Sequence, residues 1–312
     1  MSMTDSEPLV SIGMPVYNGE KYIRQALDSV LAQDYEHFEL AISDNASRDG
    51  TAEICQEYAA RDRRVRYSCN PTNMGSIGNL NRVFELARGE YFTWLAHDDA
   101  WEPTFLTQCL RAFAGYPSAV LCFPRVQLID ENGQALETHD ENLETVGLTT
   151  PRRLRLVLMC FTRCSPFYGL IKSTALKRVR PNADTHAHDL VVLAELSLWG
   201  EFVQVPEVLS NYRIYPQKRS EDQWKVLGPP GTYRRTHYTH YRLARLILSS
   251  VACSNKPLVL RLRLILETLF CLSRRFGPDF VYDLWVMLQA EWPGLAQWLK
   301  STSGYRRGRG LS

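Results

Sequence analysis

This sequence predicts an α/β fold organised on a mostly parallel sheet, and three observations carry that prediction. Short apolar runs of strand character at residues 9–14, 38–42, 65–68 and 91–95 alternate with stretches of helical periodicity, a βαβαβαβ order. Each run ends in a polar loop drawn largely from Gly, Pro, Asn, Asp and Ser. The length of 312 residues, 45% hydrophobic and 22% charged, suits one large α/β domain with an appendage. Alternation of this kind implies right-handed crossovers, and parallel sheets bind ligands in the crevice at the carboxyl ends of their strands.

The elements follow in order. The first strand stops at Pro15, and residues 16–20 form a loop. From 21 to 32 the apolar positions Tyr22, Ile23, Ala26, Leu27, Val30 and Leu31 recur at helical spacing and give one buried face. The second strand runs into Ser43, Asp44 and Asn45, and a helix follows to about residue 60. The third leads through loop 70–75 to a helix over 77–87. The fourth, Tyr91-Phe92-Thr93-Trp94-Leu95, is aromatic and β-branched, and its polarity flips at once to His97, Asp98 and Asp99. Adjacent carboxylates repel and stay ionised only with a cation or several donors between them. A divalent metal bound through oxygen is therefore one reading of Asp98 and Asp99, and a solvated turn is the other. Neither G-x-G-x-x-G nor G-x-x-x-x-G-K-[ST] occurs, so no backbone cradle is indicated for a dinucleotide or triphosphate, and a metal must carry the phosphate charge. Asp44, on the same rim, is an acceptor for a base or ribose, or a cap for the turn before the next helix.

The second half reads as strands over 119–123 and 125–129, a hairpin turn at Asp130-Glu131-Asn132-Gly133, and a polar loop over 137–150 that could lie over the site. A helix over 154–161, a strand over 167–171 and a helix over 173–179 capped by Ser173 follow. His186-Ala187-His188-Asp189 then opens an apolar helix over 191–199, and 202–215 reads as a strand pair. His186 and His188 lack a third ligand nearby and read as acceptor-side or surface residues. Beyond Gly228-Pro229-Pro230-Gly231 the chain is helical again, which divides it into 1–228 and a C-terminal region, 229–312. Residues 231–312 hold thirteen Lys or Arg against four Asp or Glu, while the rest holds 23 against 30. That asymmetry suggests an anionic surface as partner, a solvated helix face being the plainer reading. Trp285, Trp292 and Trp298 beside Arg274, Arg275, Arg306, Arg307 and Arg309 have the composition of an interfacial anchor. No apolar run is long enough to span a membrane and no signal peptide is evident, so a cytoplasmic protein is expected, peripheral at the inner membrane face if that anchor acts.

The motifs taken together resemble a known family. Pro15-Val16-Tyr17-Asn18-Gly19-Glu20, Ser43-Asp44-Asn45-Ala46-Ser47 with Asp49-Gly50-Thr51, Asn73-Met74-Gly75, and Ala87-Arg88-Gly89-Glu90-Tyr91 leading to Asp98-Asp99 look like the ordered motifs of family 2 glycosyltransferases of GT-A fold. The resemblance is sharp over about the first 100 residues and weaker to about 220. It implies a mixed sheet flanked by helices, here with a C-terminal helical extension, and a nucleotide-diphospho-sugar donor, expected to be a UDP-sugar. It also implies a Mg²⁺ or Mn²⁺ ion, transfer with inversion, and a glycan or lipid-linked acceptor in cell-surface polysaccharide assembly, without nucleic acid. By the same resemblance Pro15, Tyr17, Asn18 and Asn73 belong to the nucleotide-sugar pocket and Asp44 binds the base. Asp98 contacts ribose or metal, Asp99 is the principal metal ligand, and Asp189 is the general base, with helix capping as the competing reading for Asp189. Where the family often has Tyr-Arg-x-His, this chain has Tyr212-Arg213-Ile214-Tyr215, which puts metal dependence in question. Arg213, Lys218 and Arg219 are then candidates for positive charge at the diphosphate, and loop 216–224 for ordering over the donor. A non-catalytic nucleotide-sugar or glycan-binding protein of this fold and a nucleotidyltransferase stand as alternatives.

Overall fold

The structure is a computed structural model that describes residues 7–163, 165–179, 187–215 and 239–291, with backbone alone for 285–291. The chain divides into two compact units, Met1–Tyr233 and Arg234–Ser312.

In the first unit the leading half is as the periodicity predicts. Strands β1 (Val10–Val16), β2 (Phe38–Asp44), β3 (Val65–Cys69) and β4 (Tyr91–Trp94) are mutually parallel in the order β3-β2-β1-β4. They alternate with helices α1 (Ile23–Leu31), α2 (Thr51–Arg61) and α3 (Gly75–Glu85). Every residue of β2 is buried, as are six of the seven in β1, because helices cover both faces of a parallel sheet. At Gly13 an added Cβ would come within 2.8 Å of Phe92 and Val83, so only glycine lets α3 and β4 close on β1 there.

The second half departs from the sequence reading in several places. A two-residue strand β5 (Ala100–Trp101) and helix α4 (Phe105–Gly115) follow the acids, neither of them foreseen. Residues 119–129 form one strand, β6 (Ala119–Ile129), rather than two. Pro124, which has no N–H to give the ladder, sits at a register shift instead of ending the strand. β7 (Ala135–His139) returns antiparallel to β6 through the expected turn, with Gly133 at φ +83°. The stretch expected as a loop over the site is therefore partly strand. Its remainder is tied down, with Leu143 and Thr145 buried and the Thr145 N–H donating to Phe202 O at 2.9 Å.

Helix α5 (Thr150–Cys160) is present where a helix was expected but begins four residues before 154, with Pro151 in its first turn. The predicted strand over 167–171 is instead a 3-10 turn at Ser165–Tyr168, opened by Pro166, and then a short β8 (Leu170–Lys172). Helix α6 stops at Leu176, and the Ser173 hydroxyl donates to Gly89 O at 2.7 Å rather than capping it. Helix α7 (His188–Ser197) is almost wholly buried. The expected strand pair is one strand, β9 (Glu201–Arg213), which stays paired to β6 because Pro206 and Glu207 bulge out between the Val205 and Val208 registers. The full sheet order is β3-β2-β1-β4-β8-β6-β9-β5, mixed in direction beyond β4.

The second unit is a helical hairpin of α8 (Thr239–Cys253) and α9 (Leu258–Glu291), the latter broken at Phe276 ahead of Pro278. Leu243, Ile247, Val251, Leu264, Cys271 and Leu272 are buried in it, and the Asp283 carboxylate accepts the N–H groups of His240 and Tyr241 at the start of α8. Leu258, Val259, Leu262, Leu266, Leu269 and Phe270 are exposed along α9. No helix among the described residues is long and apolar enough to cross a membrane.

Candidate active site

The acid pair lies where the buried strand β4 ends. Asp99 turns back, its N–H donating to Ala96 O at 3.2 Å, and the chain enters β5, which pairs antiparallel with the end of β9. That pairing brings distant residues to the acids. The Arg213 N–H donates to Asp99 Oδ1 at 2.8 Å and the Tyr215 hydroxyl to Asp98 Oδ2 at 2.8 Å. Burial, and then the Asp98 charge, hold the Asp99 carboxyl well above the usual carboxylate range, against the opposing pull of Arg213. A bound cation would reverse that balance and keep both acids ionised, so the donor set fits a hard divalent ion. Among the described residues no group of three or more His, Cys, Asp or Glu is placed to hold a metal. Two carboxylates completed by diphosphate oxygens and water are a common set for Mg²⁺ or Mn²⁺ at phosphate sites. Tyr215, in the position of the family histidine, acts as a donor to Asp98, and burial and Asp98 both push its phenol upward.

Arg213 is buried and directed into the protein. Its Nε donates to Asp98 O at 2.9 Å, its terminal nitrogens to Asp130 O and Gln25 Oε1 at 2.8 Å each, and its Cζ lies 4.3 Å from the centroid of the Tyr22 ring. One guanidinium thus ties together the acid turn, the β6–β7 turn and α1. The expectation that it serves the diphosphate meets a side chain with three of its five N–H groups already committed. Lys218, Arg219, loop 216–224 and His186 lie outside the described residues.

The rim at β1, β2 and β3 is built by side chains that close the loops on one another. Pro15 does not stop β1 as expected but lies half-buried within it, paired with Ser43 one residue before the strand ends at Val16, and Tyr17 is half-buried in the loop beyond. Asn18 adopts φ 51°, with its N–H donating to Ser47 Oγ at 2.9 Å and its Oδ1 accepting Arg48 N–H at 2.9 Å. A Cβ at Gly19 would meet His97 at 2.7 Å, so glycine admits the residue that leads into the acids. Asp44 has no exposed surface. Its oxygens accept Ser47 N–H and the Tyr67 hydroxyl, each at 2.9 Å, so the turn-capping role is present and a base contact requires local rearrangement. Asn73 Oδ1 accepts Gly75 N–H at 2.8 Å, where φ is +79°, and Asn45 Nδ2 at 2.9 Å. Behind it, Asn45, Asn70 and Asn79 are buried and hydrogen-bonded in series, Asn79 Nδ2 reaching Ser43 O at 2.8 Å. This amide network escaped the sequence reading. Its signal was the recurrence of Asn at the ends of successive strands.

Beside the acids lies a cavity of about 420 Å³ whose walls include Asp98, Asp99, Arg163, Tyr168, Tyr212 and Tyr215. Asp189 is not part of that lining. It is the second residue of α7, not its cap, which is Ala187, and its Oδ1 accepts Leu190 N–H at 2.8 Å. The capping alternative for Asp189 is thereby corrected to a contact within the first turn. His188 is not the surface or acceptor-side residue expected. It is buried edge-on against Phe167 at 5.0 Å between ring centroids, and burial lowers its pKa to about 4. Phe167 in turn packs on Trp94 at 4.4 Å and on Tyr168 at 5.2 Å, which joins α7 to both β4 and the cavity wall. Arg163, Tyr168 and Glu141, which anchors their turn, carry no motif and were not foreseen.

Four parallel strands whose loops share one rim, a paired-acid turn after the fourth, and a mixed second half that returns to those acids define the GT-A class of nucleotide-sugar transferase folds. The family model for Glycosyl transferase family 2 matches residues 11–179, more than half of the chain. TuaG of Bacillus subtilis (strain 168), a glycosyltransferase named for teichuronic acid biosynthesis, is 29% identical over 245 residues, 78% of this chain and 94% of that protein. Among solved structures, S. aureus TarS 1–349 in complex with UDP-GlcNAc superimposes with a TM-score of 0.64 at 16% identity, covering 90% of this chain and 81% of that one. Mannosyltransferase PcManGT from Pyrobaculum calidifontis, in complex with GDP-Man and Mn²⁺, gives 0.54 at 17% identity, covering 96% and 80%. The two structural likenesses are likenesses of fold. The chain belongs to glycosyl transferase family 2, and it is a glycosyltransferase.

Proposed function

We propose that this enzyme transfers a sugar from a UDP-sugar, with inversion, to a glycan or lipid-linked acceptor in cell-surface polysaccharide assembly. The observation that carries the reading is Asp99, a carboxyl buried beside a second carboxyl at the end of β4, an arrangement that a divalent cation stabilises. UDP-GlcNAc in the TarS complex, Mn²⁺ in the PcManGT complex and the pathway in the name of TuaG support donor, metal and setting. In this reading Asp99 and Asp98 would hold the ion, whose chemistry there would be charge compensation of the diphosphate leaving group. Pro15, Tyr17, Asn18 and Asn73 shape the nucleotide side, with Asp44 as its floor. Tyr215 fixes the rotamer of Asp98 by its hydrogen bond, and Arg213 holds the acid turn in register with β9. The acceptor hydroxyl attacks the anomeric carbon from the face opposite the diphosphate, and Asp189 takes its proton as the new glycosidic bond forms.

Catalysis is assigned to residues 1–228. The region 229–312 is assigned to contact with anionic headgroups at the cytoplasmic face of a membrane, which its excess of Arg and the apolar stripe of α9 support. The experiment that tests the site is calorimetric titration of UDP with Mn²⁺ into parent and Asp99→Asn. The substitution keeps size and removes charge, so metal-dependent binding is expected to vanish. Equal affinity in the variant overturns the metal assignment.

A further inference from the structure

The cavity beside the acid pair is lined by both signs of charge. Asp98 and Asp99 supply its carboxylates, and Arg163, Tyr168 and Tyr212 share the same lining. None of its lining comes from the loops that follow β1, β2 and β3, which carry Tyr17, Asn18, Asp44 and Asn73. The cavity thus shares the acids with the metal site of the reading above but none of the positions assigned to the nucleotide, which in that reading leaves it to the donor sugar and its acceptor.

Arg163 is held there by design of the backbone. The Glu141 side chain is fully buried and accepts the Arg163 N–H at 2.8 and 3.1 Å, the Thr162 hydroxyl at 3.0 Å and the Thr162 N–H. That carboxylate also meets His139 Nε2 at 2.9 Å, so the turn that bears Arg163 is fixed from below. The Arg163 side chain is 42% exposed, and its ion-pair partner is Glu137 at 3.8 Å, whose side chain is 68% exposed. A pair so long and so solvated holds weakly. Arg213, the other cation on the lining, spends three N–H groups inside the protein. Arg163 is thus the cation on this lining whose donors are not spent on buried partners, and a guanidinium fork matches the paired oxygens of a carboxylate or phosphate. Tyr168 and Tyr212 stand 6.3 Å apart and tilted by 60°, two amphipathic rings that suit a pyranose.

We propose that the acceptor is anionic, carrying a carboxylate or phosphate close to the hydroxyl that is glycosylated, and that Arg163 reads that charge. The proposal rests on the donor reading above and names the acceptor class for the same site. Its test uses the full chain saturated with UDP and Mn²⁺, titrated with methyl glucuronide, glycerol 3-phosphate and neutral methyl glucoside. One or both anionic probes should bind about 10-fold more tightly than the glucoside, roughly what one charge-assisted contact supplies, and which one does so tells carboxylate from phosphate. Arg163→Gln should erase that preference while leaving UDP affinity and melting temperature unchanged, and Arg163→Lys should restore part of it. Equal binding of charged and neutral probes to the parent overturns the proposal. A loss of UDP affinity in Arg163→Gln also overturns it, since Arg163 then serves the donor. If UDP with Mn²⁺ fails to bind the parent, the donor reading falls instead, and the same three probes decide the anion preference on the nucleotide-free protein.

Discussion

Replacing Asp189 by Asn separates a catalytic carboxylate from a structural one, because the structure fixes what each role costs. Asp189 sits in the first turn of α7 and accepts the Leu190 N–H at 2.8 Å through Oδ1, a contact that an Asn carbonyl oxygen reproduces. What Asn loses is the favourable interaction of a charge with the helix N-terminus, about 0.3–1 kcal/mol. For a domain of this size that lowers the melting temperature by no more than about 4 °C. Loss of a general base instead raises the barrier by about 3–5 kcal/mol, or 10²–10⁴-fold in rate. The two outcomes differ by at least 2 kcal/mol and appear in different observables. The assay measures transfer from a UDP-sugar, melting temperature and UDP affinity on one preparation. A large loss of turnover with unchanged UDP affinity is expected. Parental turnover with an unchanged melting temperature refutes the assignment, and it would fit the placement of Asp189 outside the lining of the cavity.

Arg213→Lys keeps the charge but cannot span Asp98 O, Asp130 O and Gln25 together, so a loss of about 2–4 kcal/mol in urea unfolding is expected; a loss below about 0.5 kcal/mol would show that these contacts do not hold the rim. His188 has a folded pKa of about 4 against 6.5 for the free side chain, so between those values the unfolded chain binds the extra proton. Stability should therefore fall as pH drops from 6.5 to 4, by about 3 kcal/mol from this residue, and His188→Leu should flatten that part of the profile. An identical slope in both proteins would place the imidazole in solvent. Leu262→Glu with Leu266→Glu should lower sedimentation with anionic liposomes while transfer to a soluble acceptor is kept, and unchanged sedimentation at low salt removes α9 from the membrane contact.

By itself the sequence determined the leading half of the sheet and the placement of the acids. Buried parallel strands must be apolar on both faces and their loops must be polar, so residues 10–94 announce themselves through local composition, and Asp98 and Asp99 stand out as an abrupt change of polarity. The same local signals failed over 119–129 and 202–213, each read as two strands, where a single strand runs on through the register shifts at Pro124 and Pro206. They also failed at Ser173, whose hydroxyl found a distant carbonyl before it could cap a helix. Only the tertiary structure decided how β9 returns to the acids. Arg213 and Tyr215 meet Asp99 and Asp98 across 114 and 117 residues of chain, and no local pattern encodes such a partner. The burial of His188 and the setting of Arg163 on Glu141 belong to the same class. Periodicity tells which face of an element is buried, whereas the surface it is buried against depends on strand order and register, which are fixed when the whole chain packs.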